Sequence, residues 1–133
     1  MLSPQFDDVD EIINIIEKLP NDYGDAIANL RTYKGHTQES LEYELSFGIK
    51  TLRRIESNLF IVPDINKIME ICIVLKLEYI VSLHLFKLCG LGDFLYLRSK
   101  QAIIYHKILT FEGTFQVDYI NKLLVESGLN PLF

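Results

Sequence analysis

Apolar residues along this chain recur mostly at three- and four-residue intervals, the spacing of one face of an α-helix, and nowhere alternate over a convincing strand length. Val9, Ile12, Ile13, Ile15, Ile16 and Leu19 follow a cluster of acids and stop at Pro20, which predicts an amphipathic helix over residues 7–19. A second helix is expected over 22–34, closed by Gly35. Thr37 suits the N-cap of a third over 37–45, and a fourth follows over 48–56 after Ser46 and Phe47. Beyond the loop 57–62, Pro63 suits the first position of a helix whose Ile65, Ile68, Met69, Cys72 and Leu75 share a face. Helices over 78–89, 94–109 and 117–127 complete the pattern, the last closed by Gly128 and stopped by Pro131. Residues 115–119 offer the one extended alternative. The expected fold class is all-α.

Composition narrows the picture. With 133 residues, 49% of them hydrophobic and 23% charged, the chain has room for one core and contains no Ser-, Gly- or Pro-rich linker. The apolar run 71–88 is broken by Lys76, Glu78, His84 and Lys87, so it reads as two core helices and not as a membrane span. No membrane partner is expected. The N-terminus lacks a basic start followed by an apolar run, so a cytoplasmic location is expected. Cys72 and Cys89, both inside apolar helical patterns, define neither a disulfide framework nor a metal cluster, and His36, His84 and His106 are scattered without ligand spacing. There is no Gly-rich phosphate loop, nucleophile elbow or His-Glu-x-x-His, so neither an enzyme, nor catalytic residues, nor a cofactor, nor a metal is expected.

The net charge of −5 argues against a protein that coats nucleic acid regardless of sequence. Its distribution is uneven. Asp7, Asp8, Asp10, Glu11, Glu17, Asp22 and Asp25 face only Lys18 in residues 1–26, whereas residues 27–92 carry eight bases and seven acids. The acidity is an N-terminal feature.

One stretch carries a specific signal: Leu30-Arg31-Thr32-Tyr33-Lys34-Gly35-His36-Thr37-Gln38-Glu39-Ser40-Leu41. It resembles the opening of the Cro and phage-repressor (XRE-type) helix-turn-helix family, with its Leu-Arg, its Lys-Gly and its Thr-Gln-Glu-x-Leu at the family spacing. Leu45, Leu52, the run Arg54-Ile55-Glu56, Pro63 and the exit Ile71 to Leu77 continue the resemblance, which covers residues 27–91, about half the chain. It implies a lambda-repressor-like helix-turn-helix DNA-binding domain over 22–92, which leaves an acidic N-terminal helical extension over 1–21 and a C-terminal helical extension over 93–133, whose apolar content makes it the expected dimerisation region. The function it implies is a sequence-specific transcriptional regulator, a repressor acting as a homodimer on double-stranded DNA with two half-sites. By the same resemblance Thr37 and Gln38 would meet phosphates. Ile49, Lys50 and Arg54, with Thr51 and Arg53 beside them, would meet the bases, and Arg31 and Glu56 would form an ion pair that orients the recognition helix.

Departures from the family pattern supply a second reading. Glu42 stands where the family has Ala, and a buried carboxylate there would need Lys50, Arg53 or Arg54 as a partner. Ser46, Phe47 and Gly48 replace the usual Gly, small apolar residue and Ser/Thr of the turn. Leu59, Phe60, Ile61 and Val62 form an apolar loop where basic residues often face phosphates, which suits a protein partner. The alternative function is therefore a helix-turn-helix scaffold for protein interaction, antitoxin-like or anti-repressor-like. Leu95, Ile103, Ile104, Ile108, Ile120, Leu123 and Leu124 exceed what one helix pair buries, and are the expected dimer surface.

Overall fold

The computed structural model describes residues 4–110 and 117–133. Every regular element among them is helical: α1 Pro4–Glu17, α2 Tyr23–Tyr33, α3 Gln38–Leu41, α4 Gly48–Glu56, α5 Ile65–Val74, α6 Tyr79–Leu88, a 3-10 segment Gly92–Tyr96, α7 Lys100–Thr110 and α8 Val117–Glu126. The all-α class is thus observed. Residues 117–119 open α8 and are not extended, while 115 and 116 lie outside the described residues. Among the described residues no helix is long and apolar enough to cross a membrane.

Local chemistry explains most helix boundaries. The Thr37 hydroxyl accepts from the Ser40 amide at 3.0 Å and starts α3. Asp64 does the same for α5, accepting from the Asn66 amide at 2.7 Å, so Pro63 is a buried residue before the cap and not the first helical residue. At their C-terminal ends α2, α4, α5, α6 and α8 share one device. The residue after the cap turns left-handed, and two backbone bonds return to the last turn, as in Lys76 N to Ile73 O at 3.1 Å and Leu77 N to Cys72 O at 3.1 Å. Glycine fills that position in α2, α6 and α8; Asn58 (φ 61°) and Lys76 (φ 52°) fill it in α4 and α5.

Two expected helices come out differently. The helix expected over 37–45 stops at Leu41, because Glu42 and Glu44 donate three residues back, to Glu39 O and Leu41 O, and the chain passes through turns to Phe47. The helix expected over 94–109 is split. Leu97 is extended (φ −70°, ψ 152°) after the 3-10 segment, and the Ser99 hydroxyl accepts from the Ala102 amide at 3.1 Å, capping a separate α7.

Packing centres on α6, whose largely apolar sequence meets neighbours on most of its surface and leaves one exposed face at Ile80, His84 and Lys87. It contacts α1, α2, the 3-10 segment and α7. Val81, Ser82, Leu85 and Phe86 are fully buried in a single core that runs from Ile15 to Leu132. α1 is also tied to α2 through a hydrogen bond from the Tyr33 hydroxyl to Glu11. α7 joins α5 through Tyr105, whose hydroxyl donates to Asn66 Oδ1 at 2.7 Å.

The C-terminal apolar residues are used inside the chain. Leu95, Ile108, Ile120 and Leu124 are buried, Ile104 and Leu123 partly so, and of the expected dimer surface only Ile103 is exposed. The excess seen in the sequence disappears because α7 packs on α5, α6 and the 3-10 segment. Asn121 then draws in the tail, accepting from the amides of Leu132 and Phe133 and donating to Phe133 O at 2.8 Å.

Candidate nucleic-acid interface

Helix α4 carries most of the residues singled out in the sequence, and its periodicity divides them. Leu52 and Ile55 are buried, packing the helix on α2 and α3. At about 100° per residue, Ile49, Arg53, Lys50 and Arg54 fall in that order on the opposite arc. Lys50, Arg53 and Arg54 are exposed, while Ile49 and Thr51 are half-buried at its two edges.

The three bases differ in what they touch. Arg53 reaches back to α3, donating from Nε to Gln38 Oε1 at 3.3 Å and from Nη2 to Glu39 Oε1 at 3.3 Å. Both side chains of that ion pair are more than half exposed, so it contributes between about 0 and 1 kcal/mol. The Lys50 and Arg54 side chains make no hydrogen bond or ion pair with the described residues. Glu42, expected to need one of these bases, pairs with none of them. Because α3 ends before it, Glu42 sits half-buried in a turn and keeps contact with solvent, so no buried charge calls for compensation.

Arg31 and Glu56 form a bidentate pair, Nε to Oε2 at 2.8 Å and Nη2 to Oε1 at 2.9 Å, with side chains only 14% and 7% exposed. Arg31 Nη1 also donates to His36 O at 3.0 Å, and Gln38 Nε2 donates to Glu56 Oε1 at 3.0 Å. One network therefore joins the end of α2, the start of α3 and the end of α4. Gln38 is spent within it at both ends of its amide. Thr37 is exposed and, although its oxygen caps α3, its hydroxyl proton remains available to an acceptor.

Four further residues position α4 without any mark in the periodicity. A Cβ on Gly24 would lie 2.5 Å from Ile55 O and 2.6 Å from Glu56 O, so glycine is what lets α2 approach the end of α4. The Gly24 amide donates to Asn58 Oδ1 at 2.7 Å. Tyr23 stitches the following loop, its hydroxyl donating to Phe60 O at 2.7 Å and accepting from Phe60 N at 2.9 Å. Even so, Leu59, Phe60, Ile61 and Val62 all remain exposed, Ile61 almost completely at 99%.

The fourth residue is Glu70. It is 3% exposed in the middle of α5, and its carboxylate accepts from the Ser46 amide at 2.8 Å and the Ser46 hydroxyl at 2.7 Å. Burial pushes its carboxyl above the ordinary carboxylate value, while the Ser46 bonds and Lys67 pull it down. The one signal in the sequence was a charged residue inside the apolar run Ile68-Met69-Glu70-Ile71-Cys72.

The remaining candidate chemistry is inert in character. Burial pushes the thiols of Cys72 and Cys89 up to about 12, which leaves them as small apolar residues. Among the described residues no group of three His, Cys, Asp or Glu could hold a metal ion. Comparison of the chain with protein-family models, with curated proteins and with solved structures found no match.

Proposed function

We propose that this protein is a sequence-specific, non-enzymatic DNA-binding regulator of the helix-turn-helix kind, in which α4 enters the major groove. The observation that carries this reading is the asymmetry of α4. One side is bolted to the body by Leu52, Ile55 and the Arg31–Glu56 pair, and the other offers Lys50 and Arg54 with no partner among the described residues. Those two donors suit guanine O6 and N7, and Ile49 suits a thymine methyl. Thr37 supplies a phosphate contact, whereas Gln38 and Arg53 must first exchange their internal partners. The reading includes action as a repressor in the cytoplasm, by a homodimer on two half-sites about 34 Å apart or a multiple of that.

Selection from random DNA duplexes with the full chain should enrich one palindromic sequence. Lys50→Ala with Arg54→Ala, in a protein still folded by circular dichroism, should then lose at least about tenfold in affinity for it, given what a base contact contributes. Absence of any enrichment at low salt overturns the reading. It would favour the second one, a protein-binding scaffold of antitoxin-like or anti-repressor-like character, which the exposure of Leu59, Phe60, Ile61 and Val62 supports.

A further inference from the structure

We propose that Glu70 is a positioning residue for DNA recognition: from α5 it clamps the Ser46 turn and so sets the pose in which α4 presents Ile49 and Lys50. This rests on the DNA-binding reading above. The turn has little to hold it locally. Glu44 and Leu45 donate to Leu41 O, but the Ser46 amide is bonded outside its own segment, to Glu70. Phe47, the residue that caps α4, makes no side-chain cap bond. The N-terminal end of α4 is therefore fixed from outside, by a carboxylate that takes up both the amide and the hydroxyl of one residue.

The far end of the same helix is held by Glu56 through Arg31. Two neighbours thus grip the two ends of a nine-residue helix, about 13 Å long: α5 through the Glu70 carboxylate on Ser46, and α2 through the Arg31 guanidinium on α4's own Glu56. An apolar side chain at position 70 would avoid the desolvation of a charge, so the carboxylate is explained by what it bonds and not by stability. The functional consequence is geometric. Ile49 and Lys50 follow Ser46 within four residues, and hydrogen bonds to base edges weaken steeply once distance or angle drifts.

The experiment uses the full chain, the duplex selected above, and four variants. Glu70→Leu removes the clamp while filling the space. Glu70→Gln keeps an acceptor for the Ser46 amide and offers its NH2 group to the Ser46 oxygen. Ser46→Ala removes one bond at an exposed residue, and the fourth variant combines Ser46→Ala with Glu70→Leu. Expected are a loss of about tenfold or more in specific affinity for Glu70→Leu, with affinity for unrelated DNA unchanged. Recovery to within about threefold is expected for Glu70→Gln, together with sub-additive effects in the double variant. The NMR amide-exchange rate of Ser46 reads the clamp without DNA, and should rise in Glu70→Leu and not in Glu70→Gln. A Ser46 amide equally protected in Glu70→Leu overturns the clamp. Unchanged specific affinity in that variant overturns the positioning role, as does additivity of the two substitutions. Should Glu70→Leu fail to fold, Ser46→Ala against Glu70→Gln decides it, since wild-type affinity in Ser46→Ala overturns the role. If no duplex is ever enriched while the exchange result stands, the DNA reading has failed and the clamp has not.

Discussion

At the scale of single residues, two buried carboxylates organise α4 and differ in what they do for stability. Glu56 neutralises Arg31 in a site where both are nearly enclosed, so Glu56→Ala leaves an unpaired guanidinium behind. That substitution should destabilise the fold by about 3 kcal/mol, read as a shift in the urea midpoint at constant slope. Glu70 works in the opposite sense. Its carboxyl is raised above the ordinary 4.5, so the folded state binds the proton more tightly than the unfolded chain. Stability from this group is then fully present below pH 4.5 and lost as pH rises through the folded-state value. Lys67 lowers that value and Asp64 raises it, while Tyr105 of α7 faces the same carboxylate. Glu70→Gln should therefore show a urea midpoint above that of the parent at pH 8, with the difference narrowing as pH falls toward 4.5. A difference that widens on acidification contradicts the assignment of a raised carboxyl.

At the scale of elements, caps decide where helices begin, and α3 and α5 make the contrast. Thr37 and Asp64 each satisfy an otherwise orphaned amide. Asp64→Ala should cost about 1 kcal/mol, measured by chemical denaturation, with the loss of order localised by amide exchange to the first turn of α5. The four-residue α3 has too few internal bonds to persist alone. It is kept in place by Leu41 in the core and by Gln38 and Glu39 reaching α4. α4 is likewise short, so its orientation is set by the partners at its two ends more than by its own propensity.

At the scale of the whole molecule, the C-terminal helices complete the core around α6. The 3-10 segment and α7 cover α6, and Tyr105 ties α7 to α5. A chain ending at Gly92 should lose its cooperative unfolding transition and bind a hydrophobic dye, because the side of α6 that those elements cover is then open to water. Persistence of a sharp transition in that truncated chain would show that residues 1–92 stand without the C-terminal helices. The proposed dimer must draw on other surfaces than the seven apolar residues first suspected, of which Ile103 alone is exposed.

Much of this could be read from residues close together in the chain. Periodic apolar positions, Thr37 at its cap and Gly35 at its close located most helices, and the bounds of α4 came out as Gly48–Glu56. Exposure of Lys50, Arg53 and Arg54 follows from the spacing of Leu52 and Ile55. Such features depend on bonds spanning three to five residues, which sequence order already brings together. Arg31 and Glu56 stand 25 residues apart, and only a family resemblance suggested that they meet. What folding alone could decide lies at such separations. Ser46 meets Glu70 across 24 residues, Gly24 meets Asn58 across 34, and Asn66 meets Tyr105 across 39. The diversion of Arg53 to Glu39 and the burial of the C-terminal apolar residues belong with them. Each depends on which surfaces come into contact, and no local pattern encodes that.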